Sequence, residues 1–227
     1  DPTTENLGRV YRASLTMRGA DPGKRLVLGR QTSSILTSVS LFDGALLELT
    51  DDSHSFGLFG GTQPDADRYS FSSDIVETGA YFEFHQAPRS PERWSVAVGG
   101  VTSLDHGHPN RDFGFFQGFW FSKGLTASLT QEVDLNRSWK RANGEPLLTP
   151  SSTFASANVP LVSWFALSGG YDNRRNVRLY RDRLTPETEF DDAFRQGAWV
   201  GGQFSLFGHT RIGGDTRTNN SSGRSES

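Results

Sequence analysis

Between Leu125 and Asp134 the sequence reads L-T-A-S-L-T-Q-E-V-D. Leu125, Ala127, Leu129, Gln131 and Val133 fall on one side of an extended chain, and Thr126, Ser128, Thr130, Glu132 and Asp134 fall on the other. Only a pleated strand separates neighbouring residues in this way, because its side chains alternate between two faces. The pattern recurs near the start, where Tyr11, Ala13, Leu15 and Met17 oppose Val10, Arg12, Ser14, Thr16 and Arg18. Helical spacing is nearly absent elsewhere. No apolar run approaches the ~20 residues that a membrane-spanning helix requires.

Alternating segments bounded by Gly, Pro, Asp or Asn predict strands over 8–19, 24–31, 42–50, 55–62, 75–86, 93–102, 112–122, 125–134, 152–159, 162–171, 195–206 and 209–216. The connections between them alternate in length. Asp21-Pro22-Gly23, Asp51 to His54, Ala87 to Glu92, Lys123-Gly124, Pro160-Leu161 and Gly208 are short, whereas 32–41, 63–74, 103–111, 135–151 and 172–194 are long. In a meander, alternate connections share one end, so one end is tight and the other loopy. Transmembrane barrels have that asymmetry, and a Greek-key sandwich would scramble it. The expected fold is therefore all-β: an antiparallel up-and-down transmembrane β-barrel of about twelve strands over residues 1–216, with 217–227 a polar tail or loop.

Composition fits that expectation. Hydrophobic residues make up 34% of the chain, low for a membrane protein unless one strand face lines a polar interior. A formal charge of −3 without a basic block argues against nucleic acid as a partner. The absence of cysteine excludes disulfides and thiolate chemistry. Trp94, Trp120, Trp164 and Trp199 suit aromatic girdles at a membrane interface. The aromatic cluster F-G-F-F-Q-G-F-W-F, 113–121, reads as a strand with Phe113, Phe115, Phe119 and Phe121 toward lipid. That register points Phe116 and Trp120 inward, where they would plug the interior unless a bulge reverses it.

The phrases RLVLGRQ (25–31), LFDGALLEL (41–49), GLFGG (57–61), SGGYDNRRNVRLY (168–180) and FDDAFRQGAWVGGQFSL (190–206) resemble strands and loops of Gram-negative outer-membrane β-barrels of the porin-like group. The resemblance implies a bacterial outer-membrane location and contact with membrane lipid, including lipopolysaccharide. It also implies a passive channel for small solutes, without a cofactor. Barrels of that group place both chain ends at the tight-turn side and finish on an aromatic residue. Here both ends fall on the long-loop side, and the tail RTNNSSGRSES (217–227) carries no aromatic. The departure is read as a partial chain of a longer barrel protein, the other explanation being a strand miscounted at each end.

Charges within strands cost about 2–4 kcal/mol on a lipid face at midplane. Arg12, Arg18, Arg30, Glu48, Glu83, Glu132 and Arg195 are therefore expected in the lumen or near a rim, as selectivity determinants or as ion pairs filling the barrel. Arg174, Arg175 and Arg178 are candidates for anion or lipid-phosphate contact from a loop, although the acidic residues that follow would also compensate them. His106 and His108, flanked by Asp105 and Asp112, form a weak candidate metal site in what is otherwise ordinary turn chemistry. Neither a G-x-S-x-G elbow nor a phosphate-binding glycine loop is present, so no enzyme is expected. A non-conducting scaffold barrel, partnered within an outer-membrane complex, and a soluble all-β binding domain are the alternatives to a channel.

Overall fold

The structure, a computed structural model, describes residues 9–21, 23–33, 35, 39, 41–65, 68–87, 90–185, 194–206 and 210–222; for residues 194, 195, 221 and 222 it describes the backbone alone. The strands are β1 (Ala13–Arg18), β2 (Lys24–Gln31), β3 (Phe42–Thr50), β4 (His54–Thr62), β5 (Ile75–His85) and β6 (Arg93–Asp105). They continue as β7 (His108–Ser122), β8 (Leu125–Leu135), β9 (Leu148–Val162), β10 (Phe165–Arg175), β11 (Phe194–Leu206) and β12 (Thr210–Ser222). A single helical turn, α1 (Trp139–Ala142), lies between β8 and β9, and a 3-10 turn spans Tyr180–Asp182. All twelve strands form one antiparallel sheet in sequence order, each paired with its neighbours in the chain.

The up-and-down order follows from the alternation, but closure does not. β1 and β12 are the two edges of the sheet, and among the described residues no ladder joins them. Hairpin pairing is written locally in turns and alternation, whereas pairing of a first strand with a last one leaves no local pattern.

Connections at one end of the sheet, here the turn end, join β1–β2, β3–β4, β5–β6, β7–β8 and β9–β10. Those at the loop end join β2–β3, β4–β5, β6–β7, β8–β9 and β10–β11. Lys123 and Gly124 take φ values of 49° and 85°, the two positive dihedrals of the turn that matches strand twist. The expected long loop over 103–111 is instead a second such turn, with His106 at 50° and Gly107 at 81°. The ladder runs to Asp105↔His108, through one irregularity after Ser103, so residues dense in turn formers are strand. Pro160-Leu161 is also not a turn. Pro160 pairs with Ala166 beside a bulge, and the chain reverses at Ser163 and Trp164. A strand can pass a proline there because the bulge does not use its missing N–H. β12 continues through residues 217–222, paired as far as Phe194↔Ser222, so these belong to the sheet and not to a tail. The turn expected at Gly208 lies outside the described residues.

Burial separates the faces. One line of cross-strand partners runs Val27↔Leu46↔Phe59↔Gly79↔Val101↔Phe113, and these side chains join Phe42, Tyr81 and Phe115 in the core cluster. Val39 and Ile35, from the β2–β3 connection, pack against it. This is the inner face, filled over β2–β7. Phe113 and Phe115 are each 6% exposed within it, opposite Asp134 and Glu132. The assignment of Phe113, Phe115, Phe119 and Phe121 to the lipid side is thus reversed. Phe116 and Trp120 lie on the outer face with Leu125, Ala127 and Leu129, and no bulge interrupts the β7–β8 ladder. Period two fixes which residues share a face but not which face is buried, and the charged partners on β8 decide it.

Candidate functional site

The outer face is apolar across nearly the whole sheet. Its side chains include Leu15 and Met17, Leu26 and Leu28, Leu47 and Leu49, Phe56 and Leu58, Phe82 and Phe84. The series continues with Val96 and Val98, Phe116, Leu129, Ala155 and Ala157, Leu167, Val200, Phe204 and Ile212. Many of these are exposed, Leu58 by 48% and Val98 by 46%. Among the described residues, charged ones reach this face toward strand ends, at Lys24, the Arg30–Asp43 pair, Asp112 and Arg175. Toward the loop end of β8–β11 the face turns polar at Gln131, Thr153, Asn173 and Gln196, and β12 presents Thr216, Thr218 and Asn220 beyond Ile212.

Aromatics concentrate toward the turn end of this face. Trp94 and Trp120 are directly opposed, Phe56 opposes Phe82, and Trp164 stacks on Phe204 with centroids 6.0 Å apart. Trp199 is the exception among the expected girdle residues. It points inward, over Gly170 and 6.0 Å from Phe154, where any Cβ on Gly170 would overlap the indole.

The inner face carries the charges. A single line of partners crosses all twelve strands: Arg18↔Arg25↔Glu48↔Gly57↔Tyr81↔Gly99↔Phe115↔Glu132↔Ser152↔Arg174↔Arg195↔Ser221. Arg18, Glu48, Glu132 and Arg195, read separately as strand charges, therefore share one register line, although the side chain of Arg195 lies outside the described residues. Glu83 sits on the adjacent line, between Ser55 and Ala97. Arg12 lies before β1 and is exposed.

Local chemistry on this line is specific. Arg25 donates to Glu48, and the Tyr81 hydroxyl donates to the other Glu48 oxygen across Gly57. A Cβ on Gly57 would overlap the Tyr81 ring, so glycine is what lets the phenol cross a strand to reach the carboxylate. Farther along, Arg111 donates to Asp134 at 2.7 and 3.0 Å and to Glu132 at 2.9 Å, and its guanidinium lies 4.2 Å from the Phe113 ring centroid. Beyond Glu132 the inner face turns to hydroxyls and amides: Thr126, Ser128, Thr130, Ser152, Ser156, Asn158, Ser168 and Gln203. The charged line thus passes from a filled half, β2–β7, to a polar half, β8–β12.

Arg30 is not a lumen residue. Its register sets it on the outer face at the loop end, where it forks onto Asp43 at 2.7 and 2.5 Å and donates to the carbonyls of Val10 and Tyr69. Burial of that rim by Tyr69, 39 residues on, could not be read from β2 alone. Arg174 and Arg175 belong to β10 and not to a loop, and Arg174 donates to Asp172 at 3.0 Å. Arg178 is buried and donates to the Thr185 carbonyl at 3.0 Å, so it is a loop brace and not an open anion contact. His106 bonds Asp105 at 2.5 Å, and Asp105 raises its pKa above the usual histidine value. His108 instead stacks on Tyr180, centroids 4.6 Å apart. Among the described residues no three metal-ligating side chains come together.

Sequence reasoning missed Arg25, Tyr81, Arg111, Asp134 and Lys140. Arg25 was recoverable, because folding β2 and β3 as a hairpin sets it opposite Glu48. Arg111 was hidden by the loop reading of 103–111. Compared with protein-family models, curated sequences and solved structures, the chain matches none of them.

Proposed function

We propose that this chain is a transmembrane β-sheet of a bacterial outer membrane that forms the wall of a passive, porin-like path for small polar solutes. The observation that carries the reading is the outer face, whose charges are confined to strand ends over eleven strands and whose turn end holds the aromatic girdle. Strands of 8–15 residues from β2 onward supply the ~9–11 that a tilted spanning strand needs. Solutes would pass along the hydroxyl-bearing inner face of β8–β10, and Glu132 and Arg174 on the charged line would bias which ions enter.

One observation favours a second reading, a non-conducting scaffold barrel in a larger outer-membrane assembly. Val39 and Ile35 join the aromatic cluster on β2–β7 and fill that half of the inner face. Planar-bilayer recordings on protein refolded into phospholipid separate the two. Single-channel steps that change ion preference in Glu132→Gln support the path. Stable insertion with no conductance leaves the scaffold, and a chain that stays monomeric in water without detergent ends both membrane readings.

A further inference from the structure

Above the charged line, at the loop end, α1 flanks a small, partly open cavity of about 70 Å³. Its walls come from three separate segments: Lys140 of α1, Thr149 and Ser151 of β9, and Arg175 with Arg178 where β10 leaves the sheet. At roughly 30 Å³ per liquid water, the space admits about two waters or one small oxyanion.

Lys140 is the unusual member. It is only 5% exposed, and among the described residues its ammonium has no hydrogen-bond or ion-pair partner. Its ammonium lies 5.7 Å from the Trp139 ring centroid and feels the charges of Asp134, Glu145 and Asp112 through space. A buried cation left this way is costly, because desolvation is not repaid by an acceptor. The neighbouring carboxylate cannot repay it fully. Asp134 also lines the cavity, but both its oxygens accept from Arg111.

Donors with unspent hydrogens face the same space. The Ser151 hydroxyl accepts from Arg111 at 3.3 Å and the Thr149 hydroxyl accepts from Asn136 at 2.9 Å. Each therefore keeps its own hydrogen to donate. Charge points the same way. Among the lining residues Lys140, Arg175 and Arg178 stand against Asp134 and Glu145, which leaves one positive charge in excess.

We propose that this cavity is a binding site for a single phosphate-type oxyanion, held by the Lys140 ammonium and the Ser151 and Thr149 hydroxyls, with Arg175 at its mouth. The site does not depend on the channel reading, since it is built from the loop ends of β8, β9 and β10 together with α1 and the chain after β10. Burial lowers the pKa of Lys140 and Asp134 opposes that shift, and an anion in the cavity would oppose it further.

The test uses the full chain refolded in neutral detergent. Thermal unfolding is followed with inorganic phosphate, with chloride at equal ionic strength, and with phosphatidic acid doped into the micelles. A rise in midpoint with phosphate over chloride, lost in Lys140→Met and reduced at least tenfold in apparent affinity in Arg175→Gln, supports a site for free phosphate. A rise with phosphatidic acid alone, with the same dependence on Lys140, supports a lipid headgroup as the source. Arg141→Gln, on the exposed side of α1, should behave as wild type in either case. If Lys140→Met fails to fold, the exposed Arg175→Gln variant carries the comparison. Equal midpoints in all three conditions for the wild-type chain, or a phosphate response untouched in Arg175→Gln and Lys140→Met, overturns the proposal.

Discussion

Replacing Val98 by arginine sets the membrane reading against a plain solvated sheet. Val98 is the sixth of thirteen residues in β6, on the outer face between Phe82 and Phe116. It is already 46% exposed, and no ion pair or hydrogen bond is lost with it. On a water-facing sheet, such a surface change should alter stability by no more than about 0.5 kcal/mol. At the middle of a bilayer, the same guanidinium should cost about 2–4 kcal/mol, falling to ~0–1 near the interface. At roughly 1.4 kcal/mol per decade, the midplane change lowers the folding equilibrium between about 30-fold and several hundred-fold. Leu49→Arg supplies the interfacial comparison, because Leu49 lies one residue from the turn end of β3 and is 41% exposed. Reversible urea unfolding from phospholipid vesicles, followed by tryptophan fluorescence, measures both. The expected result is a gradient, with Val98→Arg less stable than Leu49→Arg by ~2 kcal/mol or more. If both variants fall within about 0.5 kcal/mol of wild type, the outer face does not meet lipid.

Three further outcomes follow from the inner face and the loop end. Arg111→Met strands Asp134, whose side chain is 2% exposed, and should cost roughly 3–5 kcal/mol in urea unfolding. Arg111→Met with Asp134→Leu should recover most of that loss, and a double variant as unstable as the single one contradicts the assignment. Gly57→Ala should push the Tyr81 ring off Glu48 and cost about 1–3 kcal/mol, whereas Gly144→Ala, at the open turn after α1, should leave the Tyr81–Glu48 contact intact. For His106, hydrogen bonding to Asp105 raises the folded pKa, so the contact stabilises the β6–β7 turn fully below the unfolded histidine value and is lost as pH rises through the folded one. Proton NMR titration of the imidazole should show the raised value in wild type and a lower one in Asp105→Asn, where Asp74 at 3.6 Å still favours the charged ring.

Much of the fold was legible because strand alternation and hairpin turns are local. Leu125–Asp134 declares its two faces without help from any distant residue, and Lys123-Gly124 declares its turn. What misled was chemistry that looks the same in a loop and in a strand end. Asn110 and Arg111 read as loop, yet Arg111 pairs with Ser103 in the ladder and its guanidinium anchors Asp134. Asn219 and Asn220 read as tail, yet β11 offers them a ladder. The aromatic strand misled differently. Phe113 and Phe115 look destined for lipid until the register sets them beside Asp134 and Glu132, which belong inside. Individual charges on β1, β3 and β8 were recognised, but their shared line was not, because alignment of strands far apart in sequence sums every intervening register.

The open edges of the sheet carry a kinetic consequence. Among the described residues no strand pairs with the free side of β12, and on the membrane reading proposed above the bilayer core offers its backbone groups no water instead. Crossing the membrane and finding a partner for that edge must therefore be one event and not two. A sheet with its edges unpaired should wait at the membrane surface, greasy face down, and its insertion rate should be set by how fast the last ladder forms. In that sense the slow step of assembly belongs to β1 and β12, the strands with the fewest partners, and not to the aromatic face that first meets the lipid.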